Sequence, residues 1–439
     1  MLKLVLNLFF FMSLLLVPGI SRAQEFAQEP AEREESPSID PEDDSLRVLA
    51  KKGNVKAQLK LADEYFYGKG RPQDYFVAVH WYRRAAKQGN ASAEFNLAIC
   101  YERGIGVRKS RYHAFRYYKM AAEQNVKEAK FNLALCYAEG IPPDNSTDDR
   151  TPAVFADFAM AEEIMRELDD AGFMPAIREL ANLYLKKEAK DRKPEDELNA
   201  FNMFKRAAEA DDIPAMRRLA DCYFAGIGGI KDYERMIYWL NKAVAAGDVE
   251  AKGKLAYCYE AGIGVKPDPK KAFDLIQEAA DANLPMALVK MAEYYTSGQY
   301  VKQNISIAVD LLRKAAKQGN SQALFKLGVL SVEGIGMPQD AKAGVDYFFQ
   351  SANKGNPQAQ FNLGCYFEAG DVVPVDLGAA FFWFKAAALQ GDPRAQRRLA
   401  VCYFSGIGTK KDAVAGSKWL TQAAKGGDGE AIKIIQQQQ

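Results

Sequence analysis

An alanine recurs along the 439-residue chain at a nearly fixed interval: Ala57, Ala93, Ala129, Ala176, Ala215, Ala251, Ala287, Ala323, Ala359, Ala395 and Ala431. Eight of the ten intervals are 36 residues, and the other two are 47 and 39. Self-similarity at a period of about 20 to 50 residues marks a repeat architecture, in which each unit contacts its neighbours. The longest interval is accounted for by a turn-rich insertion, PPDNSTDDRTP, from Pro142 to Pro152.

The residues around each anchor choose the kind of repeat. Four positions on stands Leu, Met or Ile, and five on stands Ala or Gly in every complete unit. Eight on stands Tyr, except at Phe367 and Ser331. Offsets 0, 4, 5 and 8 line one face of an α-helix, with small residues where a neighbouring helix can approach closely. This is helix A. Gly follows at offset 11, with Lys187 the sole departure, as suits a left-handed helix cap.

A second apolar run follows, as in AVHWYRRAAKQGN (Ala78 to Asn90) and AAFFWFKAAALQGD (Ala379 to Asp392). This is helix B. Four residues before the next anchor it closes with Gly eight times, with Asn125 and Asn283, and with Asp211. Those residue types best tolerate left-handed backbone, so a steric demand explains the column. Helices of about a dozen residues are marginal alone, so each hairpin must bury its face against its neighbours. The predicted fold is an all-α solenoid of about ten hairpins over residues 45–439. Ser45 to Gly53 reads as a lone helix B capping the front, and Gly429 to Gln436 as a lone helix A capping the back.

The chain ahead of the repeats divides in two. Residues 1–23 place Lys3 before an apolar run from Leu4 to Val17 and end on Ser21-Arg22-Ala23, the pattern of a signal peptide cleaved before Gln24. The apolar stretch is shorter than the ~20 residues that span a bilayer, which disfavours the alternative of a retained anchor. Residues 24–44 hold nine acids, one base and three prolines, so they bury too little to offset chain ordering and read as an acidic, disordered linker. The expected location is therefore exported: periplasmic or secreted in a bacterium, the secretory-pathway lumen in a eukaryote.

Composition excludes several function classes. With 48% hydrophobic and 26% charged residues, wholesale disorder and a polytopic membrane protein are both disfavoured. Lys plus Arg number 58 against 57 for Asp plus Glu, so no global charge excess points to nucleic acid. Removing residues 1–23 and the −8 of the linker leaves the repeats at +7, a cationic bias that the total conceals.

The chain is poorly supplied for catalysis. The Gly-x-Gly loops, such as Gly104/Gly106 and Gly262/Gly264, lack a third glycine, a Gly-Lys-Ser/Thr and a preceding strand, so they read as connectors. His80 and His113 are the two histidines, on different helices B and at different phases. No zinc site, Ser-His-Asp triad or cofactor motif is visible, and the chain is read as non-enzymatic, with no cofactor or metal. Cys100, Cys136, Cys222, Cys258 and Cys402 share offset 7, and Cys365 sits at offset 6. Equivalent positions on stacked helices lie about 8 to 10 Å apart, too far for a disulfide, so free, buried thiols are expected. Trp81, Trp239, Trp383 and Trp419 all stand 24 residues after an anchor, a shared phase that assigns them to packing. Asn90, Asn145 and Asn304 begin glycosylation sequons.

Segments such as AEFNLAICYERGIGV (Ala93 to Val107), AKGKLAYCYEAGIGV (Ala251 to Val265) and ALFKLGVLSVEGIGM (Ala323 to Met337) resemble Sel1-like repeats, relatives of tetratricopeptide repeats with a slightly longer period. The resemblance implies a right-handed α/α solenoid lined on its inner, concave face by helix A, and a role as a protein or peptide binding scaffold. A cysteine-rich bacterial branch of the family bridges the two helices within each repeat and is associated with β-lactam hydrolysis. No unit here has two cysteines, so this chain departs from that branch. A cell-wall or β-lactam hydrolase and a structural tether in an envelope or lumenal complex stand as the alternatives.

A ligand would meet the polar side of helix A. Offset 3 reads Lys60, Asn96, Asn132, Glu179, Arg218, Lys254, Lys290, Lys326, Asn362 and Arg398, a ladder rich in donors. Offset 2 sets Phe95, Phe131, Phe325 and Phe361 beside it. Amide and cationic donors next to aromatic faces suit an extended peptide, with acidic or C-terminal segments as the expected partners. The competing expectations are a merely solvated helix face, or occupation of the ladder by the acidic linker itself.

Overall fold

The computed structural model describes residues 44–143, 153–186, 193–229 and 231–437. The expected signal peptide, nearly all of the linker, most of the insertion, Asn145 and Lys187 lie outside them. Among the described residues there are twenty-two α-helices and no strand beyond an isolated bridge pairing Ile141 with Val154 at the base of the insertion. The front cap is the helix Asp44–Lys51 and the back cap the helix Gly429–Gln437.

The chain divides into two compact units, one ending at Leu183 and one beginning at Tyr184. The division falls inside helix A of the fourth hairpin, Met174–Lys186, within the 39-residue interval of the repeat. Hairpins occupy both units, and the two helices of a hairpin pack on one another, as Ala91–Arg103 does on Arg111–Glu123 in the first unit and Ser321–Glu333 on Ala341–Asn353 in the second. The expected all-α repeat architecture is thus present on either side.

Each helix A is started by a residue three positions before the anchor. Asn54, Asn90, Asp212, Asp248, Asn320, Asn356, Asp392 and Asp428 turn a side-chain oxygen to the anchor's N–H, at 2.6–3.1 Å. The anchor is the third helical residue, whose amide has no partner within the helix, so the cap satisfies a group that would otherwise be orphaned. Val126 and Leu284 fill this position in the third and seventh hairpins and make no side-chain cap. At the same end, Gln58, Gln360 and Gln396 donate to the carbonyls of Ala50, Ala352 and Ala388 at 2.9–3.2 Å, tying these three helices A to the end of the preceding helix B.

The expected left-handed positions are left-handed among the described residues, except that Gly140, which leads into the insertion, combines φ 66° with ψ 169°. The residues closing helix B, including Asn125, Asp211 and Asn283, have φ between 60° and 93°. Tyr300 also has positive φ, at 64°, where other hairpins carry the second glycine of the connector.

The core is built from the anchors and the offset-4 and offset-5 residues, nearly all of them fully buried. Side-chain sizes are matched across each hairpin. Gly328 and Gly364 stand at offset 5 where Phe348 and Phe384 press in, and a Cβ at either glycine would overlap the ring. Ala62 and Ala98 hold the same position opposite Tyr82 and Tyr118, whose hydroxyls donate to Asp63 and Glu102, both at 2.7 Å. Trp81 and Trp239 are buried, and Trp383 and Trp419 are half-buried against the core, as their shared phase requires. The six thiols are free, five of them buried. Burial disfavours the thiolate and pushes Cys100, Cys136 and Cys222 up to about 12 and Cys258 to about 11.

The connector glycines serve close approach. A Cβ on Gly408 would collide with the carbonyl oxygen of Leu377, at the start of the preceding helix B, whereas Gly427 has similar left-handed backbone and nothing within 4 Å. Gly408→Ala is expected to lower stability by about 2 to 4 kcal/mol and Gly427→Ala by about 1 kcal/mol, the second being the backbone cost alone. Urea unfolding followed by circular dichroism measures both, and equal losses would contradict the close-approach account.

Candidate functional site: the polar face of helix A

The offset-3 ladder does form along helix A, but its charges are already occupied. In the second unit, Lys254 pairs with Asp221 on the preceding helix A, Lys290 with Glu260 at 2.9 Å, Lys326 with Glu293 at 3.1 Å, and Arg398 with Glu368. Arg218 lies 3.6 Å from Asp221 on its own helix. In the first unit, Asn96 donates to Asp63 at 3.5 Å, Glu179 accepts from Asn182 at 3.1 Å, and Lys60 is exposed. The sequence suggested an array of open cationic donors. In the structure five of its six cations hold a carboxylate.

The rule behind the pairing is geometric. A donor at offset 3 reaches an acid at offset 6 or 9 of the preceding helix A, 33 or 30 residues back in sequence. The pairs are half-buried, or in the case of Lys290 with Glu260 exposed, and they bridge consecutive hairpins, so they contribute to register more than to net stability. The eighth hairpin offers Val329 and Val332 at those offsets, and the ninth answers with Asn362 in place of a cation. An unpaired cation there would bear the whole cost of partial burial, and an amide bears less.

Two rungs are left open. Among the described residues, the amides of Asn132 and Asn362 make no hydrogen bond, and both are half-buried. Asn132 follows Glu102, whose carboxylate is engaged by Tyr118. Asn362 lies between the Lys326 and Arg398 rungs, beside Phe361, whose ring is covered by the Arg394 guanidinium at 4.6 Å.

The offset-2 phenylalanines are only partly available. Phe95, Phe325 and Phe361 pack on Tyr118, Phe348 and Phe384 with ring centroids 5.8–6.0 Å apart, and Phe131 on Phe173 at 5.8 Å. Each is half-buried. Arg217 and Arg397, at the same offset, pair with Asp248 and Asp428, the caps of the next helix A. One residue missed from the sequence stands out: Tyr257, at offset 6 of the sixth hairpin, is 56% exposed beside the Lys254 and Lys290 rungs. Its phase, shared with the ladder's acids, was the available signal.

Other chemistry is not assembled. Among the described residues no three His, Cys, Asp or Glu side chains converge on a metal position. His80 is exposed with its ring edge-on to Trp81, and His113 stacks on Tyr101 while its Nδ1 lies 2.8 Å from the Ser110 hydroxyl. No hairpin brings two cysteines together, so the bridged, cysteine-rich arrangement is absent from the described hairpins. No described helix is long and apolar enough to cross a membrane.

No curated protein matches the chain at a significant level. Solved structures do. A protective antigen of uropathogenic Escherichia coli displaying an SLR fold is 27% identical, over 90% of this chain and 82% of its own, with a TM-score of 0.49. A Sel1 repeat protein from Oxalobacter formigenes is 22% identical over 90% and 89%, with a TM-score of 0.45. An immunity protein from Pseudomonas aeruginosa is 24% identical, covering 49% of this chain and 81% of its own, with a TM-score of 0.37. The family model for the Sel1 repeat matches residues 55–90, 91–126, 127–147, 175–212, 213–248, 249–284, 285–320, 321–356, 357–392 and 393–428. With ten matched segments in the phase set by the anchor alanines, the chain belongs to the Sel1 repeat family.

Proposed function

We propose that the chain is a non-catalytic scaffold that binds extended protein segments along the polar face of helix A, in an exported compartment. The observation that carries this reading is the open amide of Asn362. It is half-buried beside an aromatic ring and flanked by rungs that are already neutralised. An amide offers both a donor and an acceptor, the complement of a peptide group in extended backbone. The Sel1 family supports a protein partner in general. The finer preference for acidic or C-terminal segments rests on the lysine and arginine rungs, where a partner's carboxylate would exchange with an internal one. Such exchange conserves the number of ion pairs, so it contributes selectivity more than affinity.

The hydrolase alternative has no support in the residues present. The chain lacks the paired cysteines of that branch, and its thiols are held in the unreactive form by burial. A structural tether would use the same face constitutively and differs in the lifetime of the complex.

Affinity capture of the chain from its own compartment, followed by mass spectrometry, tests the binding face. Asn362→Ala is expected to weaken recovery of the dominant partner about ten-fold, the scale of one or two lost hydrogen bonds. Reversal of Lys254, Lys290 and Lys326 to Glu should weaken it further while helicity is retained. Undiminished recovery with both variants would contradict the assignment. For export, N-terminal sequencing of the chain recovered from its host is expected to begin at Gln24, and a chain beginning at Met1 in the cytoplasm would contradict it.

A further inference from the structure

Charges that nearly cancel over the whole chain do not cancel on the outer face of its last two hairpins. The ninth helix B, Leu377–Leu389, and the tenth, Ala413–Lys425, contain no Asp or Glu. They carry Lys385, Lys418 and Lys425, with Lys410 and Lys411 just ahead of the second helix, and all five are exposed. The sixth and seventh helices B, Pro269–Asp281 and Ile305–Lys317, mix Asp274, Glu278, Asp281 and Asp310 among their lysines. Three carboxylates bordering the cationic face are engaged elsewhere, whereas Asp346, at the equivalent place on the eighth helix B (Ala341–Asn353), is exposed and marks the edge of the acid-free face. Asp376 and Asp412 cap the two helices at 2.9 Å, and Asp392 holds Arg394 at 2.9 Å.

Large apolar side chains stand on the same face. Phe382 is 60% exposed, Leu389 66%, Val375 60% and Val414 82%. The repeat sets these two chemistries in register. Val375, Phe382 and Leu389 lie 16, 23 and 30 residues after Ala359, and Lys411, Lys418 and Lys425 lie 16, 23 and 30 after Ala395. The seven-residue step from Phe382 to Leu389, and from Lys418 to Lys425, keeps each pair on one side of its helix, with Val375 and Lys411 just ahead of the two helices. Both helices pack on the helix Pro393–Ser405, so an apolar row and a cationic row occupy equivalent positions on neighbouring helices.

We infer that this face docks the chain on the surface of an anionic lipid bilayer. Phe382, Leu389 and Val414 would enter the boundary between headgroups and acyl chains, while Lys411, Lys418 and Lys425 meet lipid phosphates. Protruding apolar side chains beside lysines, with no acid among them, are the pattern of an interfacial helix surface. A protein partner is the weaker fit. The outer faces of these helices expose no unpaired backbone for a peptide to read, whereas a bilayer requires only apolar depth and diffuse negative charge. The inference is separate from the helix A binding face, and either can hold without the other.

The test uses the full chain bearing Thr421→Cys, an exposed site on the tenth helix B between Lys418 and Lys425 in sequence, labelled with an environment-sensitive fluorophore. The label reads contact at this face alone, so any contact made by residues 1–23 does not contribute, and the unsubstituted chain gives the background from native thiols. Vesicles are phosphatidylcholine, or phosphatidylcholine with about one-third phosphatidylserine. A blue shift is expected with the anionic vesicles and not with the neutral ones. Lys411→Glu, Lys418→Glu and Lys425→Glu together should weaken it more than about ten-fold, and so should Phe382→Ser with Leu389→Ser. Absence of the shift, or a shift unchanged in both variants, would overturn the proposal. A shift produced by soluble polyglutamate but not by vesicles would overturn it in favour of an acidic protein.

Discussion

The structure depends on the burial of a small residue at one fixed place in every hairpin. The anchor alanine serves two ends at once. Its side chain is small enough for the neighbouring helix to come close, and its amide is the one that the capping Asn or Asp receives. The residues at offsets 4 and 5 extend the same contact, and in the eighth and ninth hairpins, where Phe348 and Phe384 press in, the facing position shrinks to glycine. A helix of thirteen residues gains little from its own hydrogen bonds in water, so this contact between hairpins is what makes each helix persist.

The same stacking decides what the polar face can do. Repetition brings offset 3 of one helix A beside offsets 6 and 9 of the last, and the chain fills the two columns with opposite charges. The face is consequently polar but nearly neutral, and its cations are held in place by internal carboxylates. Recognition then falls to the rungs where the pattern is interrupted. Asn362 stands where the preceding hairpin has valines in place of an acid, and Tyr257 stands exposed where other hairpins keep an acid.

Much of the fold was legible from the sequence because the repeat multiplies each weak signal. One glycine before an anchor says little. Eight glycines, two asparagines and an aspartate in a single column identify left-handed backbone, and the φ angles agree. The tryptophans and cysteines were readable for the same reason. The candidate site was less legible, since its offset-3 column was considered alone. Each cation's partner lies 30 or 33 residues earlier in another unit, and only the packing of hairpins makes the two adjacent. The caps of helix A were equally present as a column, three before the anchor, and went unread because a column of Asn and Asp resembles ordinary turn composition. The local charge asymmetry of the last two hairpins was hidden by a total of 58 against 57.

In-frame deletion of one whole repeat measures the central claim most directly. Removing residues 287–322 takes out 36 residues and rejoins equivalent positions, whereas removing residues 287–304 takes out 18 and joins one helix A start to one helix B start. If burial between equivalent neighbours sustains the helices, the 36-residue deletion should keep the mean residue ellipticity and the urea midpoint of the parent chain within error. The 18-residue deletion should lose helix content and unfold at lower urea. Equal damage from the two deletions would contradict the account.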